Sequence, residues 1–374
     1  MGGRTLYGTL LGEGRQELAA AGARFVLHRF RNLRSGDPAL ALTLGDVHGA
    51  APLLARVHSS CVTSEALGAC DCDCAGQLQA ALRELAACGR GALFYLFQEG
   101  RGAGLAAKAR DRMAVQASRE RVTTFEAYVE MGLCRDLRSY EEVAFLCRLL
   151  GIAAPLRLLT HNPEKAKALE DAGVRVDEIV PLAPQLSPWN HHYLAAKSRS
   201  GHALADPGEG TAALPDPLPV VAPAPADAAG RFVRVARYLL PVLLPGRSAP
   251  LWLALELLYD LAARAERVIL EYRAGTGAGA PLVGVQREAL LDRFAPDFGG
   301  ARKPRWLAAL RRFEGHGAGL ALFVPLGEAA PVDGDTLALL AARAGTDARP
   351  VFSGDEDDEA RAPLVAALAR TAAA

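Results

Sequence analysis

Residues 58–77 read HSSCVTSEALGACDCDCAGQ, and four of the chain's seven cysteines lie within them. Cys70, Cys72 and Cys74 alternate with Asp71 and Asp73, and ten residues separate Cys61 from Cys72. On an extended segment, residues two apart point the same way. Cys72 and Cys74 are therefore expected to reach one ion with Asp73 facing away, while Cys61 joins them from a loop. Three thiolates leave one position of a zinc tetrahedron for water, as in catalytic sites; Cys70, of the same parity, would close the site as a fourth, structural ligand. Spacing alone leaves three readings open: catalytic zinc, structural zinc and unliganded thiols.

The rest of the composition narrows the setting. The chain has 374 residues, 51% of them hydrophobic, with 42 basic and 42 acidic side chains. That length suggests two domains. The charge balance argues against a dedicated nucleic-acid or membrane-surface binder, yet leaves room for a local basic pocket. The opening MGGRTLYGTL lacks the apolar core of a signal peptide, and no run is long enough to span a bilayer. A cytoplasmic protein is expected, in which thiols stay reduced and clustered cysteines bind metal or do chemistry.

Around the cluster, strand-like and helical runs alternate from about residue 20 to 200. PLLARVHSSC, GALFYLFQEG, LRLLT and VRVDEIVPL read as strands. AGQLQAALRELAACG, SYEEVAFLCRLLG and NPEKAKALEDAG read as helices, the first two stopped by glycine and the third opened near Pro163. The fold class is α/β in the mixed α+β sense, with a second, smaller α/β domain. Residues 205–229 carry Pro207, Pro215, Pro217, Pro219, Pro223 and Pro225 and read as an extended linker. The expected domains are thus 1–204 and 230–374. In the second, PLWLALELLYDLAARAE reads as an apolar helix, RVILEYRAG as a strand, RWLAALRRF as a helix and GLALFVPLG as a strand. GTGAGAPLVG reads as a loop rather than a phosphate cradle. An acidic patch, GDEDDEAR, and an alanine-rich helix end the chain.

RVHSSCVTSEALGACDCDC resembles the metal-binding segment of GTP cyclohydrolase II, in which R-V-H-S-E-C is followed after ten residues by C-D-C. Further blocks follow in the family's order: GRGALFYLFQEGRGAGL, TTFEAYVEMGLCRDLRSY, LRLLTHNPEKAKAL and YLAAKSRSGH. The resemblance spans roughly residues 4–204 and implies a GTP cyclohydrolase II-like N-terminal domain. That family opens the imidazole ring of GTP, releases formate and pyrophosphate, and leaves a diaminopyrimidine ribosyl phosphate for riboflavin synthesis.

By motif match the resemblance implies Cys61, Cys72 and Cys74 as zinc ligands, with Cys70 a bystander inside the spacer. Zinc would lower the pKa of a bound water towards neutrality. The match carries over Arg56, Val57, His58, Ser59, Ser60, Gln77, Glu99, Gly100, Arg101, Thr124, Thr160 and Lys165 as GTP contacts. A carboxylate such as Glu99 can accept from guanine, and an arginine can hold phosphate in a fork. Asp136 is implied as proton acceptor and Arg138 as the nucleophile towards the α-phosphorus. Mg²⁺ is expected with the phosphates. A homodimer is implied, with no DNA, RNA or membrane partner.

Several positions depart from the family's pattern. Its glutamate before the first ligand is Ser60, its arginine before C-D-C is Asp71, the following glycine is Ala75, and an asparagine is Tyr128. The family's catalytic tyrosine falls on Arg112 or Met113, neither of which can act as a phenolic proton donor and acceptor. Three readings follow: a full GTP cyclohydrolase II, a paralogue that stops at the formamide or takes a related nucleotide, and a weakly active nucleotide-binding regulator with structural zinc.

Overall fold

The computed structural model describes residues 6–7, 10–34, 36–205, 207–208, 210, 212–275, 279–294, 303–325, 332–351 and 358–373. Contacts group the chain into two compact units. One is built from Met1–Glu65, Cys72–Gly104 and Tyr128–Ala212; the other from Ala66–Asp71, Leu105–Ala127 and Ala213–Ala374. The second unit therefore draws two short segments from the N-terminal half. Among the described residues, no helix is long and apolar enough to cross a membrane.

The first unit carries strands β1 (Leu6–Tyr7), β2 (Leu10–Ala20), β3 (Ala23–Asn32), β4 (Pro38–Leu44) and β5 (Leu53–Ser59). The short helix α1 (Val62–Glu65) and the long helix α2 (Cys74–Cys88) then lead to β6 (Gly91–Leu96). Helices α3 (Gly104–Ala117), α4 (Thr124–Glu130) and α5 (Glu141–Leu149) come next along the chain. They are followed by β7 (Leu156–Leu159), α6 (Pro163–Asp171), β8 (Val176–Val180) and α7 (His191–Arg199).

The eight strands form one sheet in the order β1-β2-β3-β4-β6-β5-β7-β8. The meander β1 to β4 is antiparallel and joins β6 antiparallel, whereas β6, β5, β7 and β8 run parallel to one another. β5 sits between β6 and β7, so the chain leaves it in both directions. At such a switch point the carboxyl ends of parallel strands open a crevice.

The strand period of two divides β5 between two tasks. Leu53, Ala55 and Val57 join the core with Phe94, Leu146, Leu156 and Leu158. Arg56 and His58 alternate with them on the other face. Helix α2 buries Leu78, Ala81, Leu82 and Leu85, an i, i+3, i+4, i+7 stripe, and ends at Gly89 with φ 70°. Helix α6 starts as its sequence suggests: the Asn162 side chain accepts from the Glu164 N–H and Pro163 occupies the first turn.

The second unit adds β9 (Ala224–Pro225), β10 (Phe232–Val242), β11 (Leu251–Asp260), β12 (Ala265–Arg273), β13 (Leu282–Arg287), α8 (Leu291–Phe294) and α9 (Lys303–His316). It ends with β14 (Ala318–Val324), α10 (Gly334–Ala344), β15 (Arg349–Pro350) and α11 (Asp358–Ala373). Its sheet order is β15-β13-β14-β12-β11-β10-β9. The sequence expectation of a helix over PLWLALELLYDLAARAE is corrected here, because residues 251–260 are strand β11. The leucines at 251, 253, 255 and 257 have period two, and the intervening Trp252, Ala254 and Glu256 face the opposite side. Helices cover both faces. A Cβ on Gly319 would run into the Phe313 ring of α9, whereas the next residue, Leu320, packs in the cluster with Leu337, Leu340 and Leu364 of α10 and α11. With apolar residues on both sides, the strand loses the polar alternation that normally betrays it. Of GTGAGAPLVG, residues 276–278 lie outside the described residues and Leu282–Gly284 begin β13; most of the acidic patch before α11 also lies outside them.

Gly91, at the start of β6, lets α2 approach the sheet. A Cβ there would lie 2.3 Å from Leu85 Cδ2 and 2.6 Å from the Leu54 carbonyl oxygen. The backbone carbonyl cannot rotate away as a side chain would. Gly91→Ala is expected to cost about 1–3 kcal/mol, read as a lower midpoint in urea denaturation at unchanged slope.

Candidate functional site

The thiols of Cys61, Cys72 and Cys74 converge, with all three sulfurs within 4.8 Å of one another. Cys61 follows β5, and Cys74 is the first residue of α2. The expected side-chain direction is therefore reached by a different backbone. The Cys72–Cys74 stretch is not extended: Asp73 has φ −105° and ψ 10° and occupies the N-cap position of α2. Cys74 consequently sits where the helix dipole favours a thiolate.

The donor set fits a thiophilic dication. A tetrahedron with zinc–sulfur bonds of about 2.3 Å places sulfurs about 3.8 Å apart, and Cys61 and Cys72 are 3.7 Å apart. The hydrogen bond with Cys61 is the first cause pushing the Cys72 and Cys74 thiols up, with burial and the Cys61 charge adding to it. A bound cation would favour the thiolates instead. Cys70 stands apart, in the second unit. Its amide donates to the Pro241 carbonyl, its thiol faces the same oxygen at 3.5 Å, and burial pushes the thiol up to about 12.

Asp73 is buried and organises the wall behind the thiols. It accepts from Lys197 Nζ of α7 at 2.8 Å and from the Gln77 amide at 2.5 Å. Burial opposes its charge, but Lys197 and these hydrogen bonds hold the carboxyl below its usual range. Gln77 Oε1 accepts from Arg56 Nη2 at 2.6 Å, and Arg56 Nη1 donates to the Leu159 carbonyl at 2.7 Å. Burial lowers the Arg56 pKa to about 10, so it remains a cation at neutral pH.

Cys74, Gln77, Arg56 and Lys197 belong to the lining of a cavity of about 90 Å³. Of the residues anticipated from sequence, Arg56, His58, Ser59, Cys74, Gln77, Arg101, Arg138, Thr160 and Lys165 form its wall. Five basic side chains, Arg56, Arg101, Arg138, Lys165 and Lys197, face it, and no carboxylate belongs to the lining set. Such a wall suits a polyphosphate. Lys165 Nζ donates to the Val57 carbonyl at 2.9 Å, and burial lowers its pKa well below the usual lysine range. His58 is buried, and its Nε2 lies 2.8 Å from Glu65 Oε1, while the Tyr95 hydroxyl donates to the other oxygen of that carboxylate. Arg101 adopts φ 55°, a left-handed conformation uncommon for a branched chain of this size. Arg138 Nε donates to Asp136 Oδ1 at 2.9 Å. Burial opposes the Arg138 charge, but the bond to Asp136 outweighs it and raises the pKa.

Other anticipated residues act from behind. Glu99 accepts from the Val62 amide at 2.7 Å and from the Gly100 amide, bracing the two turns that flank the crevice. Gly100 is buried, and its carbonyl accepts from the Tyr128 hydroxyl at 2.8 Å. Val57 packs its side chain in the core. The Ser60 amide donates to the Leu96 carbonyl. Thr124 belongs to the second unit, where its hydroxyl donates to Asp111 at 2.8 Å. Arg112 and Met113 also lie in that unit: the first is 3.5 Å from Asp71, and the second accepts from the Val221 amide.

The residue-by-residue sequence reading left out His161, Asn162, Tyr193, Lys197 and His202, all of which line the cavity. They stand in the THN and YLAAKSRSGH stretches, and the i, i+4 spacing of Tyr193 and Lys197 on α7 puts both on one face.

The GTP cyclohydrolase II family model matches residues 13–181. The GTP cyclohydrolase-2 of Azotobacter vinelandii is 45% identical over 192 residues, which cover 51% of this chain and 90% of that protein. The enzymes of the same name from Shewanella amazonensis and Pseudomonas syringae pv. tomato are 40% and 43% identical, over 87% and 88% of their lengths.

His202 gives the pocket a pH signature. Burial first, then Lys197, Arg101, Arg138 and Lys165, lower its pKa from 6.5 to about 4. Below pH 6.5 the unfolded chain takes up a proton that the folded chain refuses, so stability falls as pH drops from about 6.5 towards 4. His28, His58 and His161 are lowered in the same direction. Urea midpoints should be flat between about pH 7 and 8 and decline over that acid window, less steeply in His202→Asn.

Proposed function

The chain belongs to the GTP cyclohydrolase II family, and from that premise we propose that it is a hydrolase that opens the imidazole ring of GTP. The observation that carries the reading is the meeting of two features at Cys74: it belongs to the three-thiol cluster and lines the cavity walled by five arginine and lysine side chains. A triphosphate held by those side chains brings the base towards the sulfurs. The finer reading is one zinc per chain on Cys61, Cys72 and Cys74, with Mg²⁺ arriving on the nucleotide phosphates. When bound, the zinc supplies an activated water at neutral pH.

The protein's own groups account for the remaining steps. Arg56 and Lys197 neutralise the phosphates, Lys165 donates hydrogen bonds to them, and Arg101 and Arg138 close round them. Asp136 touches the Arg138 guanidinium directly and would take its proton as Arg138 attacks the α-phosphorus and pyrophosphate leaves, after which water cleaves the nitrogen–phosphorus bond and frees the nucleotide. Glu99 acts by fixing the loop before Arg101 and so contributes to nucleotide binding indirectly. The products are formate, pyrophosphate and a diaminopyrimidine ribosyl phosphate, for riboflavin or a related synthesis, made by a cytoplasmic homodimer.

The second reading, a product arrested at the formamide, is favoured by the residues at the family's tyrosine position: Arg112 lies 3.5 Å from Asp71, Met113 accepts from the Val221 amide, and neither carries a phenol. The phenol on the cavity wall is Tyr193. Burial pushes its pKa up, so it stays protonated and can deliver a proton to the departing amine. Proton delivery by Tyr193 restores formate release and so returns the balance to the first reading.

Cys61→Ser, Cys72→Ser and Cys74→Ser are each expected to lose zinc and GTP turnover together, whereas Cys70→Ser keeps both; elemental analysis and mass spectrometry of the products on the same samples decide it. Loss of zinc in Cys70→Ser would mean a site closed by four thiolates. Tyr193→Phe should keep zinc and lower formate release by about 10²–10⁴ while the formamide accumulates. Unchanged formate release by that variant would remove Tyr193 from the role.

A further inference from the structure

The second unit contains a cavity of about 180 Å³ on the α10 side of its sheet. Its charged lining is Arg234, Arg237, Arg273 and Arg343 with Glu256 and Glu271. Backbone register brings them together. On β12, Glu271 and Arg273 are two residues apart and share a face. On β10, Arg234 and Arg237 are three apart and would face opposite sides of a regular strand. A bulge between Arg234 and Ala236 corrects this, so that Arg234 lies opposite Leu258 and Arg237 opposite Glu256, two positions of one face of β11. Bulges commonly re-aim side chains beside functional sites.

The two carboxylates are already engaged. Glu256 Oε1 accepts from Arg234 Nε at 2.5 Å and from Arg343 Nη2 at 3.2 Å. Glu271 accepts from Arg273 Nε at 2.6 Å and from Arg237 Nη2 at 3.3 Å. Burial opposes the Glu256 charge, but Arg343 and Arg234 outweigh it, so the carboxylate stays ionised at neutral pH. Each guanidinium has five N–H donors, and its contact with glutamate uses only some of them. Four guanidiniums against two carboxylates leave an excess of two positive charges round one small cavity, in a chain whose formal net charge is zero. The arginines are 22–49% exposed, so they are held by their partners yet reachable from solvent.

We propose that this cavity is a second ligand site, separate from the nucleotide pocket, that binds a compact doubly charged oxyanion of the phosphate class. The charge excess matches a dianion, and the four planar forks match oxygens arranged round one centre. The glutamates hold the forks apart in the absence of ligand, which reduces the ordering that binding would otherwise require.

The test titrates inorganic phosphate into full-length, zinc-loaded protein in chloride buffer by calorimetry. With a saturating non-hydrolysable GTP analogue filling the nucleotide pocket, the parent should bind one phosphate per chain with an affinity that falls as salt is raised. Arg237→Gln with Arg273→Gln should weaken it at least tenfold, whereas Arg138→Gln, which alters the nucleotide pocket, should leave it unchanged. Equal affinity in the Arg237/Arg273 variant, or loss in Arg138→Gln alone, overturns the proposal. Malonate at equal ionic strength should bind more weakly, and tighter binding of this dicarboxylate overturns the phosphate assignment. If the glutamine pair does not fold, Arg237→Lys with Arg273→Lys keeps the charge and removes the fork; a tenfold loss is expected, and undiminished affinity counts against the site.

Discussion

A single buried carboxylate holds the first unit's site together. Asp73 lies between two thiol residues, starts α2, and takes hydrogen bonds from Lys197 on α7 and Gln77 on α2. Through Gln77 it reaches Arg56 on β5, and through Arg56 the carbonyl of Leu159 on β7. Four elements far apart in sequence thus share one connected set of polar contacts. A buried charge is tolerated only when it is paired and hydrogen-bonded, and removing one partner leaves the others stranded. The wall of the pocket is therefore held as a unit, and the thiols inherit their positions from it.

The connection also explains why fold and chemistry are hard to separate here. β5 delivers apolar side chains to the core on one face and Arg56 and His58 to the pocket on the other. The alternation that buries Val57 is the alternation that aims its neighbours. Slipping the strand by one residue would expose the core and bury the site's outward face at once. Glu99 shows the same economy, since its carboxylate braces backbone on both sides of the crevice.

Much of this was legible in the sequence. The cysteine cluster stood out as a metal candidate because ligation demands few residue types at restricted spacings, while setting Cys70 aside needed the family resemblance; α2 and α6 announced themselves through an apolar stripe, a terminal glycine and an Asn-Pro start. β11 was not legible as a strand because leucine, alanine and glutamate favour helices, and coverage on both faces erased the polar alternation. Asp73 illustrates another limit. Its parity suggested a side chain facing away from the ion, and it does bond elsewhere, but which lysine it would meet 124 residues later depends on tertiary structure. The grouping of 105–127 with the C-terminal residues was hidden for a similar reason, because helix α3 carries no local mark of the surface it joins.

The bulge in β10 ties the character of a surface to the pairing of one residue. A strand can gain or lose a single residue without changing its composition, and here the extra residue is Val235, which bears no charge. Pairing Val235 in a regular ladder would turn Arg237 to the opposite face of the sheet, away from Glu271, with every residue still in the chain, whereas deleting Val235 would leave Arg234 and Arg237 two apart on one face of a straight strand. Two relatives of this second unit could therefore share all of its charged residues and differ completely in what that face offers to an anion. The feature to compare between them is whether the strand bulges between Arg234 and Ala236, which a catalogue of charged positions would pass over.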